Sequence, residues 1–206
     1  VMMQNRIIAV IGGARSGKST FAEELAKKMQ RPTLYIATAQ NRDAEMADRI
    51  AKHRASRPST WQTVEAPLDL ETAILESGDQ AEVLLVDCLT LYISNLLLER
   101  LGDLSDQDDP RIPPEEEQVI LEKVKSVLKA AKRVSGTIIF VSNEVGWGIV
   151  PLYHSARAYR DVVGRANQLL AAAADRVYFV QAGMALELKA LAVSVDHVCT
   201  ELDHGR

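Results

Sequence analysis

Gly12-Gly13-Ala14-Arg15-Ser16-Gly17-Lys18-Ser19 fits the pattern G-x-x-x-x-G-K-[ST], and its flanks restrict the fold more than any other stretch of the chain. Before it runs Ile7-Ile8-Ala9-Val10-Ile11, an unbroken apolar segment of the kind found in strands buried on both faces. After it, residues 19–29 put Phe21, Ala22, Leu25, Ala26 and Met29 on one side of a helix. A glycine-rich loop between such a strand and such a helix can wrap backbone N–H groups around phosphate oxygens, and the helix N-terminus adds its dipole. Lys18 is then expected to reach the outer phosphates of a nucleotide, and the Ser19 hydroxyl to hold Mg2+.

The rest of the chain alternates in the same way. Strands are expected at 33–37, 60–64, 83–86, 137–141 and 176–180, and helices at 43–54, 68–76, 89–101, 114–134 and 155–174. An acidic, proline-bearing stretch at 102–114 has no apolar period and reads as a solvated loop. Alternating strands and helices predict an α/β fold: a P-loop NTPase of RecA-like architecture, with a mostly parallel central sheet and helices on both faces. One nucleotide-binding domain over residues 1–206 is expected, with the tail 190–206 unassigned. Such sheets take their ligands at the carboxyl ends of the strands. Asp87 stands at one such end, after Val83-Leu84-Leu85-Val86, where a magnesium-orienting acid belongs. A carboxylate in that place also serves as a turn or helix cap.

Composition removes other classes. A net charge of -4 gives no overall attraction to nucleic acid or to an anionic membrane, so any phosphate affinity must be local. The longest apolar run, near residues 83–86, is far too short to cross a bilayer, and residues 1–6 lack a charged-then-apolar signal design. A cytoplasmic protein without nucleic-acid partners is expected. Cys88 and Cys199 stand far apart and in no metal-ligand spacing, which leaves a buried thiol or a disulfide for Cys88.

His53 falls near the end of the helix expected at 43–54, at the border of the face formed by Met46 and Ile50, with Arg49, Lys52, Arg54 and Arg57 nearby. A histidine beside cations near a helix end has an ordinary explanation in the helix dipole. It also has a chemical one. Neighbouring cations favour neutral imidazole, which can attack an α-phosphate, and the arginines can hold the charge that develops. Local charge does not choose between the two.

Several segments together resemble the cobinamide kinase/cobinamide-phosphate guanylyltransferase family of adenosylcobalamin biosynthesis. They are Gly12 to Ser19, Tyr35-Ile36-Ala37-Thr38-Ala39, the stretch 43–57 with Pro58 and Trp61, the run Asn143-Glu144-Val145-Gly146-Trp147-Gly148-Ile149-Val150-Pro151, and Gly164-Arg165-Ala166-Asn167-Gln168. The resemblance implies an enzyme that phosphorylates adenosylcobinamide with ATP or GTP. It then transfers GMP from GTP to that phosphate, releasing pyrophosphate. It implies that His53 carries the GMP between half-reactions, and that the nucleotide contacts are Gly12, Gly13, Ala14, Arg15, Ser16, Gly17, Lys18, Ser19, Ala37, Thr38, Ala39, Arg54, Ala55, Ser56, Arg57, Glu65 and Asp87. Ser19 and Asp87 would share the Mg2+, and a homo-oligomer, a trimer, is implied as well. Asn143 and Glu144 are expected to border the site without an assigned role. Arg157, Arg160 and Arg165 share one helix and are expected to face substrate phosphate, solvent or another subunit. Trp61 and Trp147 are candidates to pack against the corrin, or simply against the protein. Two other readings use the loop alone: a simple small-molecule kinase with His53 incidental, and a regulatory or motor ATPase acting through partners.

Overall fold

The computed structural model describes residues 6–40, 54, 57–101, 109, 111–195 and 197. The strands are β1 (Arg6–Gly12), β2 (Thr33–Ala37), β3 (Gln62–Glu65), β4 (Val83–Asp87), β5 (Thr137–Asn143), β6 (Arg176–Gln181) and β7 (Met184–Glu187). The helices are α1 (Lys18–Met29), α2 (Leu70–Ser77), α3 (Leu89–Leu101), α4 (Pro114–Ala131), α5 (His154–Ala173) and a final turn α6 (Leu188–Leu191). The strands form one sheet in the order β3-β2-β4-β5-β1-β6-β7. All neighbours are parallel except β6 and β7. All six parallel strands therefore end at the same edge, and β1 leads there into the phosphate loop.

Strand alternation divides the core into two layers. Ile8, Val10, Tyr35, Leu85, Ile139 and Val141 pack with Ala22 and Ala26 of α1. Ile7, Ala9, Leu34, Leu84, Ile138 and Phe140 point the other way, against α2, α3, α4 and α5. Among the described residues α1 is the only helix of eight or more residues packed on its face. The helix expected at 43–54 lies, Arg54 apart, outside the described residues. None of the described helices is long and apolar enough to cross a membrane.

Three boundaries depart from expectation for local reasons, and one strand is new. The strand expected at 60–64 begins at Gln62, because the Trp61 N–H closes a turn onto the Pro58 carbonyl at 3.0 Å. The helix expected from Leu68 starts at Leu70, because the Asp69 carboxylate caps it by accepting from the Thr72 N–H. The helix expected to reach Val134 stops at Ala131, where the Arg133 N–H bonds the Ala130 carbonyl in a tighter turn. Strand β7 was not anticipated. The chain reverses through Ala182 and Gly183, both at positive φ, and so returns antiparallel to β6.

Candidate active site

The loop closes where β1 meets α1. A methyl group on Gly12 would sit 2.4 Å from the Val180 carbonyl and 2.6 Å from Ser16 Oγ, so no larger residue fits there. Gly17 has φ 96°, and its N-terminal position opens α1 through the Phe21 N–H bond to its carbonyl. The β6–β7 turn braces the loop from outside, the Gly183 N–H donating to the Ser16 carbonyl at 2.8 Å. Lys18 is buried, and its ammonium lies over the loop, donating to the Gly13 carbonyl at 3.0 Å. Ser16 Oγ is buried without a hydrogen-bond partner among the described residues. A buried hydroxyl without a partner, inside a loop capped by helix N–H groups, suits an anionic oxygen.

Asp87 ends β4, two strands away from β1 with β5 between. It is half-buried and accepts a hydrogen bond from the Tyr35 hydroxyl. Burial first, and then the Asp87 charge, hold that phenol far above its ordinary range, so Tyr35 stays a donor. Ser19 and Asp87 offer a hydroxyl and a carboxylate, hard oxygen donors that suit Mg2+.

Arg57 and Glu23 complete this face. The Arg57 guanidinium lies 3.1 Å over the Tyr35 ring, and its Nε stands 3.9 Å from Oε1 of Glu23 on α1. Their side chains are only 9% and 7% exposed, so the charges neutralise each other away from water. Glu23 thus ties Arg57 to the helix of the phosphate loop, a role that the sequence does not announce. Removing it leaves a guanidinium buried on an aromatic face. Glu23→Ala is expected to cost about 3 kcal/mol, or roughly 6–12 °C in melting midpoint for a chain of this size. A midpoint within about 1 °C of wild type in thermal unfolding would show that the pair contributes nothing.

Thr38, in contrast, is spent within the protein. Its hydroxyl donates to the Cys88 carbonyl at 2.7 Å and accepts from the Cys88 N–H at 2.8 Å. Its own N–H donates to the Asp87 carbonyl, and its carbonyl accepts from Asn95 at 2.7 Å. Thr38 clamps β2 to the residue after Asp87, which leaves the half-exposed Ala37 and Ala39 on either side as the places where a ligand can approach backbone. Cys88 is a free, buried thiol, pushed up to about 11 by burial and then by the Asp87 charge.

Other expected residues spread differently. Glu65 ends β3 and is exposed at the far side of the same edge. Arg54 is exposed, while His53, Ala55 and Ser56 lie outside the described residues. The three arginines of α5 do not converge on the loop. Arg157 donates to the Pro151 carbonyl, Arg160 pairs with Asp161, and Arg165 with Glu117. Trp61 packs against the α1-side core, and Trp147 is 77% exposed with its ring 5.0 Å from that of Phe179. Glu144 follows β5, its N–H donating to the Gly12 carbonyl and its carboxylate accepting from the Gly146 N–H.

A parallel sheet, a phosphate loop after its β1 and an acid at the end of β4 define the class: an α/β P-loop nucleotide-binding fold. Solved structures agree. A prototypical ATPase from the type III secretion system of pathogenic bacteria superposes with a TM-score of 0.58 at 13% identity, over 95% of this chain and 60% of that one. That likeness shows the fold alone. The family is fixed by sequence: the profile described as cobinamide kinase / cobinamide phosphate guanyltransferase matches residues 8–188, and this chain belongs to that family. The bifunctional adenosylcobalamin biosynthesis protein CobP of Pseudomonas aeruginosa is 43% identical over 87% of this chain and 95% of its own length. CobU of Escherichia coli, of the same description, is 43% identical over 89% and 99%. CobU of Salmonella typhimurium is 40% identical over the same shares. The chain is an enzyme of a family that joins a kinase to a guanyltransferase.

Proposed function

We propose that this chain phosphorylates adenosylcobinamide with ATP or GTP and then converts the product to adenosylcobinamide-GDP with GTP, through a covalent GMP on His53. The observation that carries the reading is the family match across residues 8–188, in a chain whose phosphate loop is closed and whose Lys18 is poised over it. In the kinase step the acceptor hydroxyl attacks the γ-phosphorus, and the nucleoside diphosphate leaves. Lys18 and the loop N–H groups hold the charge. Ser19 and Asp87 would hold Mg2+, which when bound neutralises phosphate charge.

In the transferase step a neutral His53 nitrogen attacks the α-phosphorus of GTP, and pyrophosphate leaves. The phosphate oxygen of adenosylcobinamide phosphate then attacks the same phosphorus and releases the imidazole. Arg54, Ala55, Ser56 and Arg57 contact the nucleotide phosphates by family resemblance, and Arg57 is held on Tyr35 with its charge balanced by Glu23. Ala37, Ala39 and Glu65 line the nucleoside side. The chain works as a homo-oligomer, a trimer by family resemblance. The exposed Trp147, Ile149, Leu152 and Tyr153 support such an association, and a monomeric mass by light scattering would refute it.

The test is covalent labelling. GTP labelled at the α-phosphate is expected to leave an acid-labile label on the denatured chain, and GTP labelled at the γ-phosphate none. A chain that takes no label from α-labelled GTP has no guanylyl-enzyme, and the transferase half of the reading fails.

A further inference from the structure

Asn143 has no assigned role, yet its position is closely defined. It ends β5, the strand between the loop-bearing β1 and the acid-bearing β4, and it stands in register with Gly12, the first glycine of the phosphate loop. Ile139 and Val141 of the same strand face α1, so the two-residue period turns Asn143 to that face too. Two residues beyond the level of Asp87, its half-buried side chain stands at the top of the sheet, on the strand between those of the loop and the acid.

The carboxamide is held from one side. Its Nδ2 donates to Thr90 Oγ1 at 2.7 Å, and its backbone N–H leans on the same oxygen at 3.4 Å. Behind it, Asn167 donates to the Asn143 carbonyl at 3.0 Å and accepts from Ser142 Oγ at 2.6 Å. Among the described residues the second Nδ2 hydrogen has only Cys88 Sγ, at 3.8 Å, a weak acceptor. A donor level with the first glycine of a phosphate loop, and resting on a poor acceptor, is one for which an anionic phosphate oxygen outcompetes the sulfur.

We propose that Asn143 Nδ2 donates a hydrogen bond to a non-bridging oxygen of the γ-phosphoryl group during phosphorylation, with Thr90 as the positioning residue that aims it. The inference rests on the kinase activity proposed above. In that step a bond forms from the acceptor oxygen to the γ-phosphorus, and the bond from that phosphorus to the β–γ bridging oxygen breaks. The hydroxyl proton leaves by way of a phosphate oxygen to solvent. Asn143 exchanges no proton. It supplies a fixed dipole where charge is spread over the equatorial oxygens.

The test compares Asn143→Ala, Asn143→Asp and Thr90→Val in the transfer of labelled γ-phosphate from ATP to adenosylcobinamide, with folding followed by circular dichroism. Asn143→Ala is expected to lower kcat roughly 10²-fold, with a much smaller change in KM for ATP. Asn143→Asp, nearly isosteric and able to accept from Thr90, is expected to be worse than alanine, because a carboxylate then faces phosphate. A packing role would make aspartate the milder change. Thr90→Val leaves the carboxamide present but unaimed and is expected to cost about 10-fold. Folded variants within about 3-fold of wild type, or an aspartate variant more active than the alanine one, would overturn the assignment. A wild-type chain that fails to phosphorylate adenosylcobinamide would instead overturn the proposed function itself.

Discussion

Lys18→Ala is expected to abolish phosphorylation of adenosylcobinamide while leaving a folded chain. The Lys18 ammonium is buried, within a loop whose other cation, Arg15, is exposed, and it donates to the loop's own Gly13 carbonyl. A unit charge about 4 Å from a phosphate oxygen at an effective dielectric of about 20 is worth about 4 kcal/mol. Lost from the transition state, that is roughly 10³-fold in rate. Alanine removes the charge without adding bulk, and α1 keeps the Phe21 to Gly17 bond that opens it. Transfer of labelled γ-phosphate measures the first expectation, and far-ultraviolet circular dichroism the second. A folded Lys18→Ala chain that phosphorylates at the wild-type rate would place the kinase chemistry elsewhere.

The strand, loop and helix around Lys18 were legible because each is written locally: an apolar run, three glycines in the loop, and a helical period. Asp87 was legible for the same reason, as the first polar residue after a buried run. What was not legible depends on residues far apart in the chain. Glu23 sits in Glu23-Glu24, a pair that reads as a solvated helix face. Only the fold brings Arg57, 34 positions later, over Tyr35 to meet it. Thr38 stands among the nucleotide contacts that the resemblance implies, and nothing near it in sequence shows that Cys88 will consume its hydroxyl from both sides. The Asn143 register with Gly12 follows from β5 entering the sheet between β1 and β4, an order no local pattern encodes. Strand β7 escaped because Met-Ala-Leu-Glu has no strong strand preference and draws its pairing from the turn at Ala182 and Gly183.

His53→Ala is expected to take no label from α-labelled GTP while still phosphorylating adenosylcobinamide, so the two activities separate on one side chain. The reason lies in the different phosphorus atoms attacked. The kinase step needs an external hydroxyl at the γ-phosphorus and the cations of the loop, none of which the imidazole supplies. The guanylyl step needs a nucleophile from the protein at the α-phosphorus, and a methyl group in its place offers no lone pair. Transfer of GMP to adenosylcobinamide phosphate should then fall below detection rather than by a modest factor. Water left in place of the ring gives GMP and pyrophosphate, not a guanylyl-enzyme. Parallel assays of the same purified variant decide the matter. If labelling persists in His53→Ala, another residue carries the GMP. If phosphorylation disappears together with labelling in a folded chain, the histidine serves the nucleotide site as a whole and the two reactions do not divide as proposed.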